Sequence, residues 1–345
     1  MSFFCHKNLL SLFLLLILSA CNNNQNGSLK LSGSTMGTTY NITIVGKKSH
    51  LNAEQLQGEI EARLATINQE MSTYIDDSEI SRFNQYARSD WFPISGEFLA
   101  VVQTAIKAHQ LSGGAFDPTI YPLVDLWGFA KHIKVSPPSD TDIQIALKQI
   151  GLQHLKTRQS PPALSKDIVS LSLDLSAIAK GYGVDALAKL LSNKGFKNYL
   201  VEIGGEVYAA GKNANKKPWH IAIEKPDSNH LIQSAKPIQG LYLQDQSVAT
   251  SGNYRNFYEY AGKRYAHTLD PNTGRPAENT LASVTVIHAS NMWADAMATT
   301  MMVMGAKQGL AFANKEKLAV FMVIHHEGNY KVVTNAYFND LQKRF

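Results

Sequence analysis

Cysteine is almost absent: of 345 residues only Cys5 and Cys21 carry a thiol, so everything from Asn22 onward is thiol-free. That excludes disulfides, zinc–cysteine centres and cysteine nucleophiles from the body of the chain. The 33 basic and 28 acidic residues leave a mild net charge of +5 and form no dense Lys/Arg stripe, so nucleic acid is not an expected partner. G-x-S-x-G, H-E-x-x-H and Walker sequences are missing as well, which argues against the familiar hydrolases and nucleotide triphosphatases. No internal repeat appears, and no Pro/Gly/Ser linker marks a boundary inside the body.

The start of the chain is distinctive. His6 and Lys7 precede an apolar run from Leu9 to Ala20 that is too short for an ordinary transmembrane helix. It ends at Leu18-Ser19-Ala20-Cys21, which resembles a lipoprotein signal: residues 1–20 are expected to be cleaved and Cys21 to be acylated. Residues 21–28, rich in Asn, read as a flexible tether, and a single folded body is expected over 29–345.

Within that body, Thr38 to Val45 alternates in the strand manner, and Ala53 to Met71 places Leu56, Ile60, Leu64, Ile67 and Met71 at helical spacing. Further helices are expected over Glu97–Leu111, Thr141–Ile150, Ala177–Ser192 and Met292–Met304. Strands are expected over Ile168–Leu173, Tyr199–Ile203, His220–Ile223, Leu241–Leu243, Ser283–His288, Ala319–Ile324 and Lys331–Thr334, with loops at Ser136–Ser139 and Ser160–Ala163. The interleaving predicts an α/β fold of mixed sheet with packed helices.

Asp295 and Thr299 are four residues apart on one helical face, a carboxylate and a hydroxyl suited to Mg²⁺ that bridges to phosphate. An acidic residue near a helix start and a back-bonding threonine would give the same pattern. Gly181, Gly183 and Ala186 form a G-x-G-x-x-A string with Glu202 downstream, which invites a dinucleotide reading. Five residues separate the expected strand from the first glycine, whereas a Rossmann turn allows none. Lys180, near a helix start, is a candidate phosphate ligand or a solvated surface lysine. Three segments rich in small residues, 33–39, 202–206 and 247–254, read as ligand loops or plain turns. His267, beside a Pro/Gly turn, is a candidate acid, base or phosphate donor.

Taken in order, six segments resemble the ApbE family of flavin transferases along nearly the whole body: GSTMGTTY (33–40), GAFDPT (114–119), LDLSAIAKG (173–181), VEIGGE (201–206), HTLDPNTG (267–274) and ADAMAT (294–299). The resemblance implies a single large mixed α/β domain related to the T-fold that binds FAD. It implies Mg²⁺ held by the Ala177 carbonyl, Asp295 and Thr299, and an FAD site formed by Met36, Asp117, Lys180 and His267, with Thr119, Glu202 and Gly205 as weaker carry-overs. The implied reaction is attack of a threonine or serine hydroxyl of a target protein on the FMN-side phosphorus of FAD, releasing AMP. Asp295 and His267 are the catalytic candidates, and the general base is left open between His267 and a metal-bound carboxylate. Implied acceptors are flavin subunits of membrane complexes of the NADH:quinone reductase type. Lipid anchoring at Cys21 on the periplasmic face of the inner membrane would place the enzyme beside them. Two other outcomes fit the same motifs: hydrolysis of FAD to FMN and AMP, and a non-catalytic flavin-binding lipoprotein.

Overall fold

A computed structural model describes residues 27–46, 52–131, 136–226, 237–253, 257–327 and 329–345. The expected signal segment, Cys21 and Tyr254 lie outside the described residues.

The chain opens with a hairpin of β1 (Ser28–Thr35) and β2 (Thr38–Val45), joined by Met36 and Gly37, both with positive φ (50° and 71°). Two such residues match the right-handed twist of the strands. Then come α1 (Ala53–Met71), α2 (Glu79–Gln85), β3 (Phe92–Pro93), α3 (Gly96–Ser112), α4 (Tyr121–Leu126), α5 (Asp140–Leu147), β4 (Leu155–Gln159) and β5 (Pro162–Lys166). Ser78, Ser95 and Ser139 cap α2, α3 and α5 by accepting the amide three residues on. Next are α6 (Ser176–Asn193), β6 (Tyr199–Ile203), β7 (Glu206–Ala210), β8 (Trp219–Glu224), β9 (Pro237–Leu243) and β10 (Gln246–Gly252). Three short hairpin strands β11 (Phe257–Tyr260), β12 (Lys263–Ala266) and β13 (Leu269–Asp270) precede β14 (Arg275–Pro276) and the long β15 (Leu281–His288). The chain finishes with α7 (Asn291–Lys315), β16 (Ala319–His326), β17 (Asn329–Thr334) and α8 (Ala336–Gln342).

Eight strands form one antiparallel sheet in the order β1-β2-β6-β7-β10-β15-β16-β17. On one face, the fully buried Leu173, Ile178, Met297, Met301, Val284 and Val286 join α6 and α7 to the sheet. On the other, Trp219, Leu241 and Leu243 of the β8–β9 hairpin pack with Val248, Phe321 and Phe338 of α8. Sheet and helix layers thus give the mixed α/β architecture expected.

Several local expectations are corrected. Ile168–Leu173 is a turn with one bridge, Ser172 to Ile120, although Leu171 and Leu173 are buried alternately. Its main-chain groups bond side chains of Lys166 and Asn84 in place of a neighbouring strand. The strand lies just before it, at β5, where Pro162 and Ala163 were assigned to a loop; Ala163 pairs with both Arg158 and Pro93. Segment 33–39 is the β1–β2 turn with its flanks, and 247–252 lies within β10, whose small side chains let α7 pack close. The helix expected to end at Met304 does break there: Gly305 has φ 77° and ψ 172°, and a second helical stretch follows.

Candidate functional site

The site is built where the N-terminal turn of α6 meets α7. Asp174 accepts the Ser176 amide at 2.7 Å, an Asx turn that leads the chain into α6. Asp185, from the middle of α6, accepts the Asn291 amide (2.8 Å), the Met292 amide (3.0 Å) and the Ser290 hydroxyl (2.7 Å), which fixes the start of α7. Asn291 then donates to the carbonyls of Val207 (2.8 Å) and Val248 (3.2 Å), tying α7 to β7 and β10.

The glycine string is explained by this crossing and not by a nucleotide turn. Both glycines lie inside α6 against an antiparallel sheet, which removes the dinucleotide reading. A Cβ at Gly181 would come within 2.5 Å of the Asn291 carbonyl oxygen and 2.8 Å of Asp295 Cβ; one at Gly183 would come within 3.0 Å of Met36 Cε. The first glycine permits the helix contact and the second seats Met36.

Three charged groups converge here. Lys180 Nζ lies 2.6 Å from Glu206 Oε1 and 3.8 Å from Asp295 Oδ1. Asp295 and Glu206 are each 2% exposed, while the Lys180 side chain is 31% exposed. Burial alone would lower the Lys180 ammonium, but the two carboxylates outweigh it and raise it. Burial pushes both carboxyls up, and Lys180 pulls them back. One ammonium therefore serves two carboxylates, with the proton on Lys180.

Asp295 Oδ2 accepts the Gly181 amide at 2.9 Å. That amide is four residues beyond Ala177, so Asp295 engages the donor that helical geometry also directs at the Ala177 carbonyl. Thr299 shares a hydrogen bond of 2.9 Å with Ser251 of β10. Asp295 and Thr299, one turn apart on α7, offer a carboxylate and a hydroxyl, hard oxygen donors of the kind that Mg²⁺ accepts while keeping several waters. Among the described residues no group of three or more His, Cys, Asp or Glu is placed to hold a metal.

Asp117 and Thr119 form one unit: Asp117 Oδ1 accepts the Thr119 amide (2.8 Å) and hydroxyl (2.6 Å), and Thr119 Oγ1 accepts the Gly151 amide (2.7 Å). Thr119 is fully buried, so its role is to hold Asp117. Burial raises the Asp117 carboxyl, while the hydrogen bonds from Thr119, and the charge of His109, whose Nδ1 is 3.7 Å from Oδ2, oppose that. The adjoining Pro118 carbonyl accepts the Asp174 amide at 2.8 Å, which joins this loop to α6.

His267 follows β12, with the Phe129 ring edge-on at 6.4 Å. It is close enough to Asp174 to lower that carboxyl, which burial otherwise raises. Tyr74, 63% exposed, donates to the Phe129 carbonyl at 3.3 Å and presents an open ring. Glu202 and Gly205 are placed differently from Lys180's partners. Glu202 accepts the Gly205 amide (2.8 Å) and the Asn41 side chain (2.7 Å), so the two shape the β6–β7 turn, and Glu206 is the carboxylate that reaches Lys180. Asp174 and Glu206 sit inside the LDLSAIAKG and VEIGGE segments, but their roles needed the fold. Tyr74 carried no signal beyond its type.

A mixed α/β fold, thiol-free from Asn22 onward, thus brings a lysine and two buried carboxylates together where α6 crosses α7. The ApbE family model matches residues 36–322, and the chain belongs to the ApbE family. Its relatives include proteins named FAD:protein FMN transferase from Vibrio cholerae, 42% identical over 96% of this chain and 97% of the relative, and from Haemophilus influenzae, 39% identical over 97% of both. Solved structures agree. Flavin transferase ApbE from Vibrio cholerae matches with a TM-score of 0.83 over 91% of this chain and 98% of that one, at 42% identity. The apo flavinyl transferase ApbE of Pseudomonas stutzeri matches with a TM-score of 0.82 at 37% identity, over 91% and 96%.

Proposed function

We propose that this chain transfers the FMN half of FAD to a threonine or serine hydroxyl of an acceptor protein and releases AMP. The observation that carries the reading is the meeting of Lys180 and Asp295 where α6 crosses α7, with Thr299 one turn further along α7. The family's flavin chemistry requires a pyrophosphate to be bound, and this is the corner where positive charge and helix amides converge.

Asp295, Thr299 and the Ala177 carbonyl would hold Mg²⁺, which supplies charge neutralisation at the phosphates. Lys180, held by Glu206, points a fixed ammonium at the same anion. Met36, Asp117 and His267 surround the nucleotide, with Thr119 and Asp174 fixing the Asp117 loop and Tyr74 offering a ring face to the flavin. In the reaction the acceptor oxygen bonds to the FMN-side phosphorus, the bond to the AMP oxygen breaks, and the hydroxyl proton leaves to a base. His267, with Asp174 beside it, is that base in this reading. The acceptor is a flavin subunit of a membrane electron-transfer complex. Acylation at Cys21 holds the enzyme at the periplasmic face of the inner membrane; the support is the Leu9–Cys21 pattern, and loss of lipid labelling in Cys21→Ser checks it.

Incubation of the protein with FAD, Mg²⁺ and such an acceptor tests the activity by intact mass and AMP release. A mass gain of one FMN with equimolar AMP supports transfer. AMP without labelling favours hydrolysis, and neither product sinks the reading.

A further inference from the structure

Lys166, at the end of β5, is 1% exposed, and among the described residues it has no carboxylate partner. An ammonium has three donors. Here all three go to main-chain carbonyls: Phe83 at 3.1 Å, Asn84 at 3.0 Å and Leu171 at 2.8 Å. The first two belong to the last turn of α2, at the negative end of its dipole, where the Phe83 carbonyl also accepts the Tyr86 amide at 3.1 Å. The Phe83 ring lies 4.9 Å from the ammonium and gives it a further electrostatic contact. A buried charge without a counter-ion is costly unless every proton is hydrogen-bonded, and this one is.

Asn84 completes the arrangement. Its side chain donates to the Leu173 carbonyl at 2.9 Å and accepts the Leu173 amide at 2.7 Å, the two-way pattern a neighbouring strand would provide. Leu171 and Leu173 are thus held by side chains from β5 and α2. The residue after Leu173 is Asp174, whose amide donates to the Pro118 carbonyl beside Asp117 and whose carboxylate accepts the Ser176 amide, the first of α6. Only Asp174 and Leu175 separate the anchored Leu173 from Ser176, the first residue of α6.

We propose that Lys166 and Asn84 are positioning residues for the FAD site: they set where the 171–176 segment runs, and through it the placement of Asp174 and of the amides and Ala177 carbonyl that open α6. This rests on the FAD reading above. It separates from a merely structural role because a displaced site weakens FAD binding, whereas a loosened core lowers the fraction of folded enzyme.

The test compares wild type with Lys166→Met, which keeps the length and volume of the side chain while removing its three donors, and Asn84→Ala, which removes both bonds to Leu173. FAD binding is followed by flavin fluorescence and transfer by labelling of an acceptor. The expected result for each variant is a KM and Kd for FAD raised about tenfold, with kcat within about threefold and the KM for acceptor unchanged, the size expected for losing a few hydrogen bonds that orient a site. Unchanged FAD KM and Kd in Asn84→Ala, with or without a lower kcat, overturn the inference even where Lys166→Met fails to fold. A wild type that binds FAD but transfers nothing leaves the Kd comparison to decide. A wild type that binds no FAD removes the site reading and this inference together.

Discussion

The amide of Gly181 donates to the Asp295 carboxylate at 2.9 Å, across a helix crossing where no Cβ fits on Gly181. A single residue therefore sets both the α6–α7 distance and the aim of the acid that the site depends on. Gly181→Ala is expected to destabilise the protein by about 1–3 kcal/mol through overpacking against main chain. FAD transfer should fall further than the folded fraction does. Urea unfolding beside a transfer assay checks this; a variant with wild-type transfer would mean that α7 can shift freely.

Asp295→Asn keeps an oxygen for the Gly181 amide and removes the charge. AMP release should drop by about 100-fold or more, as for loss of a metal ligand, while FAD binding is retained. A magnesium titration is the measurement: the variant should lose its response, and an unaltered Mg²⁺ midpoint would show that the ion is held elsewhere.

The Lys180–Glu206 pair is buried on the carboxylate side. Removing only the lysine leaves two carboxylates facing each other without a cation, so Lys180→Met should lose about 3–5 kcal/mol. The double variant Lys180→Met/Glu206→Gln should recover part of that stability but none of the FAD affinity, because the ammonium that faces the phosphates is still missing. Chemical denaturation of the wild type, Lys180→Met, Glu206→Gln and the double variant gives the coupling, and additive losses would deny the pair.

Glu70 lies away from the site, between α1 and α3. Burial, with Glu97 and Glu79 nearby, pushes its carboxyl up to about 7 from 4.5, although Arg63 opposes this. A folded value above the unfolded one means that the folded state holds the extra proton, so Glu70 favours the fold below pH 4.5 and that contribution is lost as pH rises to 7. Glu70→Gln should match wild type near pH 4.5 and exceed it by about 1 kcal/mol at pH 8, after allowance for its partial exposure. Equal stabilities at both values would place Glu70 in an ordinary solvated setting.

The helical spacing of Ala53–Met71 predicted α1 residue for residue, and the alternation at Thr38–Val45 and Tyr199–Ile203 did the same for β2 and β6. These elements bury one face against one neighbour, so their own periodicity reports their burial. The 168–173 segment alternates just as clearly, yet its partners are Lys166 and Asn84, residues whose type says nothing about strand pairing. Segment 247–254 read as a loop because small residues are common in turns, whereas in β10 they make room for α7.

The sequence by itself determined that the body lacks thiols, that sheet and helices alternate, that Asp295 and Thr299 share a helical face, and that six segments match one family in order. Those are properties of composition and of spacing within single elements. Only the tertiary structure decided that Lys180 faces Glu206 and not Glu202, that Gly181 engages Asp295, and that Asp185 holds the Asn291 amide at the start of α7. Each of these pairs joins residues 26 to 114 positions apart in the chain. Spacing along a strand or helix cannot report them, because they exist only where the layers of the fold bring separate elements into contact.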